Sequence, residues 1–93
     1  IPEGVKVING FAFSQCSSLT NVVLPQSLTT IGDHCFYVCT ALVEIILPDN
    51  LTTVGYSAFG DCYSLEKITI PSKMTKIGDY AFVDCKSLAK LNS

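Results

Sequence analysis

The chain has 93 residues and a mass of 10.0 kDa, which suits one small domain and excludes any function that needs two. It is 48% hydrophobic and only 15% charged, so the composition excludes an intrinsically disordered chain. Six lysines, no arginine and eight acidic residues give a net charge of −2, which offers no binding footprint for nucleic acid or anionic lipid. Apolar runs such as 22–24 and 45–47 are far shorter than the ~18 residues of a membrane-spanning helix, so we expect no membrane insertion.

The four prolines reveal a repeat. Pro2, Pro25, Pro48 and Pro71 follow one another at a constant step, and no other proline is present. The rest of the chain keeps this register, which predicts a single solenoid domain over 1–93 with the repeats 2–24, 25–47, 48–70 and 71–93. The stacked columns are Ile8, Ile31, Val54 and Ile77; Phe13, Phe36, Phe59 and Phe82; Cys16, Cys39, Cys62 and Cys85; and Leu19, Leu42, Leu65 and Leu88.

Each coil predicts three elements after its proline. In coil four, Met74 and Ile77 indicate a short extended piece, and Gly78 is expected to leave it with positive φ. Asp79 suits the start of a helix, and the apolar spacing that follows it predicts about two helical turns packed inward. The third element is a strand such as Leu65–Ile70, whose alternate side chains point inward and outward.

The stretch LEKITIPSKMTKIGDYAFVDC, from Leu65 to Cys85, and its two upstream counterparts closely resemble the BspA-type (Treponema-type) leucine-rich repeats of bacterial and protozoan surface proteins. The resemblance covers essentially the whole chain. Together with the repeat it indicates an α/β repeat fold: a right-handed leucine-rich-repeat solenoid of four 23-residue coils with a parallel sheet on the concave face. A few positions depart from the pattern: coil one lacks the LxxI stretch and has Asn9 in place of glycine, Cys35 replaces alanine, and Ser93 stands in an apolar column.

Five cysteines are an odd number, and they form neither a CxxC motif nor a spacing that suits zinc. We therefore interpret the cysteine column as buried, reduced thiols. His34 precedes Cys35, but adjacent side chains at a helix start point about 100° apart, so His34 should not activate that thiol. We expect a solvated surface histidine, no metal or other cofactor, and no enzymatic activity. Asn50 begins a glycosylation sequon, which we interpret as a chance occurrence.

The outward side of the predicted concave sheet is the first candidate protein-binding surface. Val23, Ile46 and Val43 form an apolar strip there, beside a row of charged side chains, as in many protein-binding surfaces. The alternative also stays open, because β-branched residues suit outward strand positions in any case. The candidate residues are Asn21, Val23, Val43, Glu44, Ile46, Glu66, Lys67, Thr69 and Lys90. A second candidate surface holds Tyr37, Tyr56, Tyr63 and Tyr80, which could instead be partly buried flanks of the core.

The resemblance implies a non-catalytic protein-binding module. It further implies a segment of a longer cell-surface or secreted adhesin that binds host, matrix or cell-surface proteins. An intracellular scaffolding solenoid is the alternative. An enzyme is the third possibility, and hydrolytic activity that is lost when His34 is replaced would support it. Neither end of the chain offers a recognisable polar cap, so we also expect neighbouring sequence or a second copy to cover the uncapped coils.

Overall fold

The computed structural model describes residues 1–88 and 90–92, the last three as strand backbone only. Four short strands begin in the first half of the chain and four in the second. The strands are β1 Val7–Ile8, β2 Asn21–Val22, β3 Thr30–Ile31, β4 Glu44–Ile45, β5 Thr53–Val54, β6 Lys67–Thr69, β7 Lys76–Ile77 and β8 Lys90–Asn92.

The strands form two parallel sheets, one strand of each sheet in every coil. The first sheet has the order β2-β4-β6-β8, and the second has the order β1-β3-β5-β7. Paired residues are always one repeat apart, as in Val22 with Ile45 and Ile31 with Val54. The repeat solenoid and its parallel sheet are therefore confirmed, as is the second extended piece of each coil.

The helical turns predicted for each coil are wrong, because the described residues contain no helix. In their place are four turn ribbons, residues 10–15, 33–38, 56–61 and 79–84. Their backbone N–H groups alternate between two directions. The N–H of Cys35 donates within its own coil to the oxygen of Gly32 at 3.2 Å, whereas the N–H of Phe36 donates to Ala58 in the next coil at 2.8 Å.

The spacing of the coils explains why ribbons replace helices. Paired strands lie about 4.8 Å apart, whereas packed helices need about 8–10 Å between their axes. Coils joined by strand pairing on two sides therefore leave no room for a stack of helices. The ribbons instead place two residues per coil in the left-handed region, and these residues form two columns in the repeat register: Phe11, His34, Ser57 and Tyr80, and Gln15, Val38, Asp61 and Asp84.

Glycine has a different role from the one predicted. Gly78 does not have positive φ, and the left-handed residue in its turn is Tyr80. The glycine column is needed because neighbouring coils meet there at very short distance. A Cβ on Gly55 would lie 2.6 Å from the backbone nitrogen of Asp33. Asn9 occupies the same column in coil one, where no earlier coil of the described chain lies against it.

The phenylalanine column forms the centre of the core. Its rings stack almost parallel, with centroids 5.3 Å apart for Phe13–Phe36 and for Phe36–Phe59, and 5.6 Å apart for Phe59–Phe82. Phe36 and Phe59 are fully buried, but Phe13 and Phe82 are only half-buried. The end rings are less buried than predicted because each is stacked on one side only.

The cysteine column lies beside the rings, and all five cysteines are free. Cys39 and Cys62 are fully buried, whereas Cys16 and Cys85 at the two ends are half-buried. Cys35 occupies the alanine column and is also fully buried. The predicted burial of the cysteine column is therefore confirmed in the interior coils, whereas the cysteines of the two end coils are more exposed than predicted.

Candidate functional site

The outward face of the first sheet carries the predicted binding residues of coils one to three. Strand β6 shows how the sequence produces this face: Ile68 is buried, while Lys67 and Thr69 on either side of it are exposed. This alternation follows from the pleat, which sends successive side chains to opposite sides of a strand. Asn21, Glu44 and Glu66 are exposed as well.

The predicted apolar strip is present on this face. Val23 is 78% exposed, Ile46 is 71% exposed and Val43 is 41% exposed. Val23 and Ile46 occupy the same column in neighbouring coils. Both border a shallow cavity of about 390 Å³ lined by Asn21, Val22, Val23, Leu24, Gln26, Glu44 and Ile46. Four of the nine predicted site residues thus line one depression.

The charged row lies beside this cavity. The Lys67 ammonium is 4.0 Å from the Glu44 carboxylate, and both side chains are more than half exposed. An ion pair this exposed contributes little to stability, so both groups remain available to a partner. Lys67 pairs in register with Lys90, whose side chain lies outside the part of the chain that the structure describes, as do Ala89 and Ser93.

The ribbon side of the molecule holds a feature that the sequence analysis missed. His34 is half-buried, so the prediction of a solvated surface histidine is wrong. Its ring stacks on Phe11 with centroids 4.8 Å apart and an interplanar angle of 3°. The rings of Tyr37 and Tyr56 also contact the His34 ring, with centroids 5.1 and 5.4 Å from its centroid. The His34 Nδ1 is buried without a hydrogen-bond partner among the described residues. The sequence signal for this group of rings is the column of Phe11, in which three of the four positions are aromatic.

The four tyrosines divide into different environments. Tyr80, Tyr56 and Tyr63 are exposed, whereas Tyr37 is half-buried against His34. Tyr56 and Tyr80 meet edge to face at 5.7 Å. Tyr63 lies apart from them, in a different column, where the Lys86 ammonium stands 5.3 Å from its ring centroid. Tyr37 is therefore a partly buried flank of the core, and a binding role for the three exposed tyrosines stays a prediction.

The sulfur chemistry next to His34 is unfavourable for catalysis. Burial raises the pKa of the Cys35 thiol from its ordinary value of 9.0 to about 12, so this thiol stays protonated near neutral pH. Only the thiolate is an effective nucleophile or metal ligand. Within residues 1–88 and 90–92, no three histidine, cysteine or acidic side chains are placed to hold a metal ion.

The sequon asparagine lies in an exposed turn and links three coils. The Asn50 Nδ2 donates to the backbone oxygen of Gln26 at 3.1 Å, and its Oδ1 accepts a hydrogen bond from Lys73 Nζ at 3.0 Å. The side-chain amide is therefore already engaged in stacking the coils. That the sequon is a chance occurrence stays a prediction.

Comparison with known proteins identifies the repeat. The sequence model of the BspA type leucine rich repeat region (6 copies) matches residues 1–93. A leucine-rich repeat protein from T. pallidum has a similar solved structure, with a TM-score of 0.78 and 34% identity over 94% of this chain and 51% of that chain. Another from Bacteroides ovatus ATCC 8483 has a TM-score of 0.73 and 30% identity over 96% of this chain and 29% of that chain. No curated protein matches significantly.

These relatives set the general class of function. This chain spans about half the length of the T. pallidum protein and less than a third of the Bacteroides protein. Leucine-rich repeat proteins are a non-enzymatic class that generally binds proteins, and the BspA-like family is associated with surface proteins. In the described part of the chain no helix is long and apolar enough to cross a bilayer. With the family pattern matched from the first residue to the last, the chain belongs to the BspA-type leucine-rich repeat family.

Proposed function

We propose that this chain is a non-catalytic protein-binding module of a cell-surface or secreted adhesin and that its ligand contacts the first-sheet face. The observation that carries the proposal is the cavity of about 390 Å³, bordered by the exposed Val23 and Ile46 and by the Glu44 carboxylate. Apolar side chains around a depression with a charged rim are typical of surfaces that bind proteins.

The size of the module predicts a weak interaction. A specific interface buries about 800 Å² on each partner, which is about a sixth of the 5081 Å² surface of this chain. Contact across several coils is therefore needed, because one coil exposes only a few outward side chains. Longer arrays of coils would add contact area and avidity, which agrees with a segment of a longer protein.

The proposal is tested by placing negative charges on the apolar strip of the first-sheet face. Val23→Asp combined with Ile46→Asp should lower binding to immobilised matrix proteins and to cultured cells at least tenfold. The matched control is Val7→Asp with Thr30→Asp, which places the same charges on the second sheet. Unchanged binding by the first pair, or equal loss in the control pair, contradicts the sheet-face site. Tyr56→Ala with Tyr80→Ala provides the comparison for the ribbon side, and every variant is first checked for folding by circular dichroism.

The alternative function is an intracellular scaffold. The two functions differ in whether the full-length protein carries an export signal or an anchor. The full-length reading frame and the location of the protein in fractionated cells distinguish them. Recovery of the full-length protein only from the cell interior contradicts the adhesin.

The end coils support self-association of the isolated chain. Phe13 and Phe82 each leave one ring face without a stacked phenylalanine of this chain. Both are only half-buried, so a second copy stacked end to end would cover apolar surface. Light scattering should show dimers or larger species as concentration rises. A strictly monomeric solution at high concentration contradicts this proposal.

A further inference from the structure

A row of aromatic rings, one taken from each coil, runs along the ribbon side of the solenoid. Phe11, His34, Tyr56 and Tyr80 form this row, which we call the aromatic strip. Successive centroids lie 4.8, 5.4 and 5.7 Å apart, with the first pair stacked, the second tilted and the third edge to face, so neighbouring rings are in contact along the whole row. Phe11 and Tyr80 are each more than 60% exposed and Tyr56 is also exposed, which leaves much of this aromatic surface open to solvent.

Two carboxylates flank Tyr56 along the solenoid, one in each neighbouring coil. Asp33 and Asp79 occupy the column of Tyr56 in the coils before and after it, and both are exposed. The Asp33 Oδ1 accepts a hydrogen bond from the backbone N–H of Tyr56 at 2.9 Å, which fixes that carboxylate beside the strip. Four of the eight acidic residues of the chain lie in the turn ribbons, and none of its six lysines does.

Aromatic faces and carboxylates attract the same kind of group. The negative face of an aromatic ring attracts a lysine ammonium or an arginine guanidinium, and adjacent carboxylates strengthen that attraction. The chain already contains one such contact, because the Lys86 ammonium lies over the ring of Tyr63 in the preceding coil. Among the described residues, no cation of this chain is placed over Tyr56 or Tyr80 in that way.

We propose that the aromatic strip, with Asp33 and Asp79, binds the cationic side chains of an extended basic segment of a partner protein. Charge complementarity selects this partner, since the ribbons supply acids and rings but no positive charge. Four coils at about 4.8 Å make a strip about 14 Å long, which matches an extended peptide of about four or five residues. Arginine suits the site best, because its planar group stacks on aromatic rings and also pairs with carboxylates. This site lies on a different part of the coil from the first-sheet face and does not depend on it.

The first experiment uses a fluorescein-labelled peptide that alternates arginine and serine, followed by fluorescence anisotropy. The control peptide has citrulline, a neutral isostere, in place of each arginine. We expect saturable binding of the arginine peptide, at least tenfold weaker binding of the citrulline peptide, and weaker binding at high salt. Equal binding of the two peptides, or affinity that does not change with salt, overturns the proposal.

Variants then locate the site. Tyr56→Leu and Tyr80→Leu keep apolar contact but remove the aromatic face, and each should weaken arginine-peptide binding about two- to fivefold. Asp79→Asn should weaken it by a similar factor and reduce its salt dependence. Tyr63→Leu is the matched control, because it makes the same change at a ring already contacted by Lys86, and it should leave binding unchanged. Equal losses for Tyr63→Leu and the two strip variants overturn the assignment. Thermal melting confirms folding of each variant.

Discussion

The thiol of Cys62 donates a hydrogen bond to the backbone oxygen of Phe36, with 3.1 Å between sulfur and oxygen. Cys39 makes the same bond to Phe13, and Cys85 makes it to Phe59, each at 3.0 Å. In every case the two residues are 26 positions apart, one repeat plus three. The column therefore uses cysteine as a hydrogen-bond donor between coils as well as a small apolar side chain.

Replacing an interior thiol should destabilise the fold more than replacing the equivalent thiol in coil one. Cys62→Ala removes both buried volume and the donor to Phe36, so we expect a loss of about 1–3 kcal/mol in the free energy of unfolding. Cys16→Ala is the matched control, because Cys16 is half-buried and makes no thiol hydrogen bond in the described structure. Urea denaturation under reducing conditions measures both. Equal losses in the two variants contradict a structural role for the bond.

The buried thiols should make the fold sensitive to alkaline pH. Burial raises the pKa of Cys35 and of Cys62 to about 12, against an ordinary value of 9.0. Between about pH 9 and pH 12 the unfolded chain has lost thiol protons that the folded chain still holds. The free energy of unfolding should therefore fall as pH rises through this range, by at most about 1.4 kcal/mol per pH unit for each thiol.

Cys35→Ala isolates one of these thiols, because the other three coils have alanine in this column. The comparison with the parent protein cancels the ionisable groups that the two proteins share. The variant should lose less stability than the parent protein between pH 9 and higher values in urea denaturation. Parallel pH profiles for the two proteins count against burial of the Cys35 thiol.

The stacked rings predict a difference between interior and end coils. Phe59→Ala removes a fully buried ring and should cost about 3–5 kcal/mol, whereas Phe82→Ala removes a half-buried ring and should cost less. Thermal or urea denaturation measures the difference. If Phe59→Ala does not fold, Phe59→Leu and Phe82→Leu should keep the same order with smaller losses. A reversed order is inconsistent with this core.

The glycine column should tolerate no side chain between coils. Gly55→Ala places a Cβ 2.6 Å from the Asp33 nitrogen and 2.7 Å from the Gly32 carbonyl carbon, so it should destabilise the protein by about 1–3 kcal/mol or more. The reciprocal change, Asn9→Gly in coil one, relieves no contact with an earlier coil. It should alter stability by less than about 1 kcal/mol. An alanine variant as stable as the parent disproves the close approach at Gly55.

The repeat and both sheets could be predicted because every column recurs once per coil and strand pairing preserves that register. The helix could not be separated from the turn ribbon on spacing alone. Ala81, Phe82, Cys85 and Leu88 suit a helical face, but the distance between paired coils excludes a helix stack.

The two candidate surfaces differ in how far the sequence indicates them. Strand alternation predicts that Val23 and Ile46 are exposed, because neighbouring strand residues face opposite ways. The contact of His34 with Tyr56 joins two different columns. It depends on the direction in which a left-handed residue points its side chain, and the periodicity contains no information about that direction. The sequence therefore indicates three rings of the aromatic strip, those of the Phe11 column, whereas Tyr56 joins them only in three dimensions.

The constant separation of the contacts has a consequence for chain length. Because strand pairs span one repeat and thiol bonds span one repeat plus three positions, excising the segment 48–70 joins Leu47 to Pro71 and recreates each kind of contact. Phe82 then stacks on Phe36, and the Cys85 thiol faces the Phe36 oxygen. Removing or duplicating a whole coil should therefore keep the register of the strand pairs and thiol bonds, so the number of coils can change without a new kind of contact between them.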